Sequence, residues 1–147
     1  MITPTELAYM AGIIDGEGCI TAVANTKRGR SYYNAHMSVM TTDRCLADWI
    51  QTRFGGIVCT RPTPILHPTW KVRFEWHMYK HGMDIFIPQL LPYLIIKHKH
   101  AEKMLEFRET FGASKTGHTH PLPDDIVNQR KKLYEELKSM NRNRKSR

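Results

Sequence analysis

Asp15 and Glu17 are separated by glycines in Asp15-Gly16-Glu17-Gly18, directly after the apolar run Leu7-Ala8-Tyr9-Met10-Ala11-Gly12-Ile13-Ile14. Carboxylates beside accessible backbone carbonyls offer hard oxygen ligands, the chemistry that holds a divalent cation such as Mg²⁺. Upstream, Thr3-Pro4-Thr5-Glu6 is a helix start: Thr3 caps, Pro4 suits the first position and Glu6 completes a capping box. The spacing predicts a helix from Pro4 to about Asp15, broken by Gly16 and Gly18, whose freedom permits φ > 0 or close backbone approach. The acids therefore sit where a helix carries about half a negative charge, and they need a positive partner. A bound Mg²⁺ is one such partner; a capping turn with solvated acids is the bland alternative.

That helix is apolar on every face, so burial all round is expected. Ala8 and Gly12, one turn apart, let another backbone come close. Packing on the chain's own sheet would use one face only, which favours a helix pair across a twofold axis.

The elements that must position these groups follow in order. Residues 19–27 and 32–41 read as strands about the turn Arg28-Gly29-Arg30-Ser31. Thr42 or Asp43 caps a helix that ends at Phe54, before Gly55-Gly56. A third strand spans 57–61, and a proline-bearing loop leads to a fourth over 69–78. There Trp70, Val72, Phe74, Trp76 and Met78 alternate with Lys71, Arg73, Glu75 and His77. Helices are expected over 81–91 and 94–111, a polar linker over 112–123, and an amphipathic helix over 123–140. The basic tail 141–147 is expected to be disordered. The order αββαββα plus a C-terminal helix is an α+β layout, an antiparallel sheet with helices on one face, and 1–111 forms the core.

With 22 Lys+Arg against 14 Asp+Glu, a net charge of +8 asks for a polyanionic partner, nucleic acid first. Strand parity turns Thr21, Asn25 and Lys27, then Asn34, His36 and Ser38, then Lys71, Arg73, Glu75 and His77 to one face. Arg28 and Arg30 from the turn, Arg44 and Arg61 add to it. Arg and Lys suit guanine edges, Asn adenine, and an acid cytosine. A composition 41% apolar and 24% charged excludes disorder as the main state. Three cysteines without paired spacing fit a reducing compartment. The opening MITPTEL shows no export pattern, and the apolar stretch 85–96, with Pro88 and Pro92, is too short for a bilayer. Neither a membrane nor a small-molecule cofactor is expected. Although there are eight histidines, His77 with His81 and His118 with His120 included, no cysteine pair or HExxH motif supports zinc.

The stretch Leu7 to Gly18 resembles the LAGLIDADG motif, and the chain is similar to homing endonucleases of the single-motif, homodimeric kind. The strand pair, the helix ending in Phe54-Gly55-Gly56, Trp76 in the second strand pair, and Leu91-Pro92-Tyr93-Leu94 before Lys97 extend the resemblance to about Phe111. The resemblance implies two motif helices packed through Ala8 and Gly12, and saddle-shaped sheets in the major groove of double-stranded DNA. It implies Glu17 and the Gly16 carbonyl as metal ligands, with Asp15 organising the helix end. Asp43, beside Thr42, would order water at the cut, and Lys97, or else Lys99, would approach the phosphate. The implied activity is Mg²⁺-dependent cleavage of a long, nearly palindromic site to 5′-phosphate and 3′-hydroxyl ends, with Ca²⁺ supporting binding alone. An RNA-splicing maturase or a DNA-binding regulator on the same fold is the alternative. Location is expected to be intracellular, in the cytoplasm or nucleoid, or in an organelle matrix.

Overall fold

The computed structural model describes residues 1–112 and 122–145. Its elements run α1 (Pro4–Glu17), β1 (Gly18–Lys27), β2 (Arg30–Thr41), α2 (Arg44–Phe54), β3 (Ile57–Arg61), β4 (Arg73–Met78), α3 (His81–Leu90), a 3-10 turn (Leu91–Tyr93), α4 (His98–Gly112) and α5 (Asp124–Lys145). Four strands form one sheet in the order β1-β2-β4-β3. The α+β layout and the αββαββα order are as expected.

The capping box on α1 is present: the Thr3 hydroxyl accepts from the Glu6 N–H at 3.3 Å, and the Glu6 carboxylate accepts from the Thr3 N–H at 2.8 Å. That backbone donor, then the Arg53 guanidinium, holds the Glu6 carboxyl below the usual carboxylate range. The helix runs through Gly16 to Glu17 rather than stopping at Asp15, because neither Gly16 nor Gly18 takes a positive φ. Gly18 is needed for room instead. A Cβ there would lie 2.7 Å from both the Cα and the carbonyl oxygen of Ile14. Positive φ occurs at Arg28 and Gly29, which make the two-residue turn between β1 and β2.

Strand β4 begins at Arg73, later than the alternation suggests, so Lys71 lies in the loop. Trp70 and Val72 are exposed there, with Trp70 stacked on His67 at 4.3 Å. The alternation holds further on. Helix α4 begins at His98, after the 3-10 turn that Pro92 opens. The C-terminal helix reaches Lys145, into the stretch expected as a disordered tail. His118 and His120 lie outside the described residues.

The chain divides into two compact units, Met1–Cys19 with Met37–Lys97, and Ile20–His36 with His98–Arg147. In the first, β4 pairs antiparallel with both β2 and β3. The register puts Val39, Trp76 and Val58 on one face, and Ser38, His77 and Ile57 on the other. Trp76 is fully buried, with Phe86 of α3 at 6.1 Å, and Phe54 of α2 lies 5.0 Å from Phe86. Gly56 has φ +85°, and a Cβ there would meet the His77 carbonyl at 2.4 Å, so only glycine lets the chain turn under this core. In the second unit α4 packs on α5. Arg130 donates to the Thr110 hydroxyl at 3.1 Å and to its carbonyl at 3.0 Å, and lies 3.9 Å from the Phe111 ring centroid. Tyr134 of α5 packs on Tyr33 of β2 at 5.2 Å.

Candidate active site and nucleic-acid interface

The C-terminal end of α1 is the most elaborated polar structure in the first unit. Asp15 is only 7% exposed. Its two oxygens accept from three backbone donors, the N–H groups of Ile95 at 2.8 Å, Ile96 at 3.1 Å and Lys97 at 2.8 Å. Burial pushes the Asp15 carboxyl up. The three N–H donors, helped by the Lys97 charge, outweigh burial and leave it below the ordinary range.

Lys97 completes the arrangement from the other side. Its side chain is 1% exposed, and its ammonium donates to the carbonyls of Ile14 at 2.5 Å and Asp15 at 2.8 Å. A buried ammonium is tolerated because it meets the negative end of the helix and the neighbouring carboxylate. The Gly18 N–H takes the carbonyls of Ile13 and Ile14. Donors thus engage residues 13 to 15. Gly16 and Glu17 come next, and both are exposed.

The opposite face of α1 is open. Met10, Ala11, Ile14 and Asp15 are buried, whereas Ala8, Tyr9, Gly12 and Gly16 are exposed. A Cβ at Gly12 would meet nothing within 4 Å. Among the described residues the helix is therefore covered on one side, not all round. Ile95 and Ile96, beside the Asp15 clamp, are 87% and 59% exposed.

On the sheet, the parity read from sequence matches the register in this unit: Arg61 faces Arg73, Cys59 and Met40 flank Glu75, and Ile57 and Ser38 flank His77. These residues differ in reach. Arg61 is exposed, whereas Ser38 and His77 are 7% and 4% exposed. Arg73 lies 5.6 Å from the Trp70 ring and 3.7 Å from the Met40 sulfur. In the second unit Asn25, Lys27, Arg28, Arg30 and Asn34 are exposed, and Thr21 and His36 are half-buried.

Comparison with known proteins rests on structure. No protein-family model matches the chain, and no curated protein is similar enough to it to match. Among solved structures, the homing endonuclease I-CvuI, in complex with the I-CreI target, superposes with a TM-score of 0.75 at 19% identity, over 92% of this chain and 82% of that one. The fold is that of the LAGLIDADG homing endonucleases. The archaeal intron-encoded homing endonuclease I-Vdi141I, complexed with DNA, gives 0.72 at 15% identity over 92% and 84%. The LAGLIDADG homing endonuclease I-GzeII, also with its DNA target, gives 0.70 at 12% identity; 87% of this chain matches 43% of that chain.

On this LAGLIDADG fold the expected site residues separate. Gly16 and Glu17 are together on the exposed end of the motif helix. Lys97 reaches the same helix end, but its ammonium is on carbonyl oxygens. Lys99 is exposed on α4. Asp43 is the N-cap of α2, where its carboxylate accepts from the Leu46 N–H at 3.1 Å. Arg44 pairs with Asp48 at 3.0 Å and lies 5.3 Å from the Phe74 ring. The clamp by Asp15 on residues 95–97 was not legible in sequence. The only signal was an acid placed where its own helix repels it, and the partner lies some eighty positions away in the chain.

Proposed function

We propose that this chain is a site-specific, Mg²⁺-dependent double-strand DNA endonuclease that works as a homodimer. The observation that carries this reading is the end of α1. The carbonyls of Ile13, Ile14 and Asp15 are taken by the Gly18 N–H and the Lys97 ammonium, and the next two residues, Gly16 and Glu17, are exposed. A carboxylate and a backbone carbonyl are the donor set a hard divalent cation takes, and nothing crowds Gly16, so the residues fit. The fold shared with DNA-bound homing endonucleases and the net charge of +8 support DNA as substrate.

Glu17 and the Gly16 carbonyl would hold the cation. When bound, it polarises the phosphodiester and stabilises charge on the leaving 3′ oxygen. The chain itself does the positioning. Asp15 and Lys97 fix the helix end between them, so Glu17 is presented from a rigid base. Basic residues on the sheet and at the β1–β2 turn neutralise phosphates and read base edges. A water attacking phosphorus would form the new P–O bond as the bond to the 3′ oxygen breaks and that oxygen takes a proton, leaving 5′-phosphate and 3′-hydroxyl ends. The open face of α1 supports dimerisation, because small residues at Ala8 and Gly12 permit close helix contact. The match to 43% of I-GzeII is consistent with a second copy supplying the other half of a longer chain. Two copies imply a long, nearly palindromic site. The three cysteines, an odd count without paired spacing, support a reducing intracellular location.

The deciding experiment is Glu17→Gln, assayed for nicking and double-strand cleavage with Mg²⁺ and for binding with Ca²⁺. Cleavage should fall below detection while binding persists or tightens slightly, since removing an acid relieves repulsion of DNA phosphates. Cleavage at the wild-type rate would make Glu17 structural. A wild-type chain that binds its site but never cuts it with Mg²⁺ would be a regulator instead.

A further inference from the structure

On the sheet face of the first unit, Arg61 and Glu75 are diagonal neighbours: Arg61 pairs with Arg73 across β3 and β4, and Cys59 pairs with Glu75. Arg61 Nε donates to Glu75 Oε2 at 2.7 Å. The side chains differ sharply in exposure, 52% for Arg61 against 13% for Glu75. Beneath them, His77 Nε2 lies 3.4 Å from the same carboxylate oxygen, with 5% of its side chain exposed. The His77 ring in turn stacks on Tyr79 at 5.7 Å. The carboxylate is therefore held from below and spends itself on the guanidinium above. A guanidinium is charged at any working pH, and the hydrogen bond to Glu75 raises the Arg61 pKa further.

An acid on a DNA-facing strand can read cytosine directly, but only if its oxygens reach the groove. Glu75 is sunk in the sheet, and Arg61 stands out from it. We propose that Glu75 reads no base itself and is a positioning residue that fixes the Arg61 guanidinium for base readout. Anchoring Nε leaves the terminal Nη1 and Nη2 groups as a fork, the geometry that meets guanine O6 and N7. It also removes side-chain freedom that a long arginine would otherwise lose on binding. The ligand class is a guanine edge in the major groove, one per half-site. This inference rests on the proposed reading of the chain as a sequence-specific DNA-binding enzyme.

The test profiles binding of the full chain to a randomised double-stranded DNA library in Ca²⁺, for wild type, Glu75→Gln, Arg61→Ala and the double variant. Arg61→Ala should erase preference at one base pair per half-site. Glu75→Gln should weaken preference at that same base pair, by up to about tenfold, and strengthen binding to unrelated DNA because one negative charge is gone. The double variant should be no less selective than Arg61→Ala alone. In the free protein, the Arg61 Nε–H resonance should be observable in wild type and lost to solvent exchange in Glu75→Gln, a readout that needs no DNA. Relaxed preference at a different base pair in Glu75→Gln would make Glu75 a base reader and overturn the inference alone. Unchanged preference, or an Nε–H unaffected by Glu75→Gln, would overturn it too. A wild type with no sequence preference would remove the underlying reading and the inference together.

Discussion

Asp15 and Lys97 show how one residue's awkward placement is resolved by another far away in sequence. A carboxylate at a helix C-terminus is repelled by the dipole. Here it bends onto three N–H groups while an ammonium takes the carbonyls it leaves behind. Asp15→Asn keeps the shape but loses the charge, and one of its two acceptors becomes a donor. It should cost about 2–4 kcal/mol in chemical denaturation, as expected when a buried charged network loses one partner. Lys97→Met leaves the Ile14 and Asp15 carbonyls without their buried cation. It should destabilise the fold by about 1–3 kcal/mol and slow cleavage by roughly 10²- to 10³-fold through lost charge and lost rigidity beside Glu17. A cleavage loss of that size with no change in stability would mean that Lys97 leaves the helix end and acts on the phosphate instead.

Two glycines, Gly12 within α1 and Gly18 directly after it, divide the helix's two jobs. A Cβ at Gly18 would lie 2.7 Å from the Ile14 backbone, so Gly18→Ala must displace main chain and should cost about 1–3 kcal/mol, read as a lowered denaturation midpoint. Gly12 meets nothing within 4 Å among the described residues, so Gly12→Leu should leave the monomer's stability unchanged within about 1 kcal/mol. If α1 pairs with its copy, the same leucine should overpack that contact and shift the sedimentation profile from dimer to monomer. A wild-type chain that sediments as a monomer both free and on DNA would remove the homodimer from the proposal.

At the scale of the whole molecule, the proposed reading implies that an excess of eight positive charges sets the affinity for DNA more than any single contact does. Truncation after Asn141 removes Arg142, Arg144, Lys145 and Arg147. It should weaken binding to all sequences alike and reduce the slope of log affinity against log salt by as much as about 3–4, measured by titration at several salt concentrations. Base preference should not move. A change in preference on truncation would mean that the end of α5 reads sequence.

Much of the architecture is local, and local signals were readable in the residues themselves. The capping box fixed where α1 begins, Gly55-Gly56 fixed where α2 ends, and the alternation in β4 told Arg73, Glu75 and His77 from Phe74, Trp76 and Met78. These depend on neighbours a few positions apart, which is where backbone and side-chain preferences act. The same logic failed at the ends of elements. Trp70 and Val72 keep the two-residue period but lie outside β4, because period alone does not say where a partner strand stops. Which polar residues would reach out from the sheet was beyond it as well: Arg61, Glu75 and His77 share one face, yet only Arg61 stands clear. The clamp between Asp15 and residues 95–97, and the ammonium of Lys97 on the helix end, needed the tertiary structure. Their partners meet only because α1, α3 and the turn after it pack together, and no spacing along the chain encodes a contact closed over so long a loop.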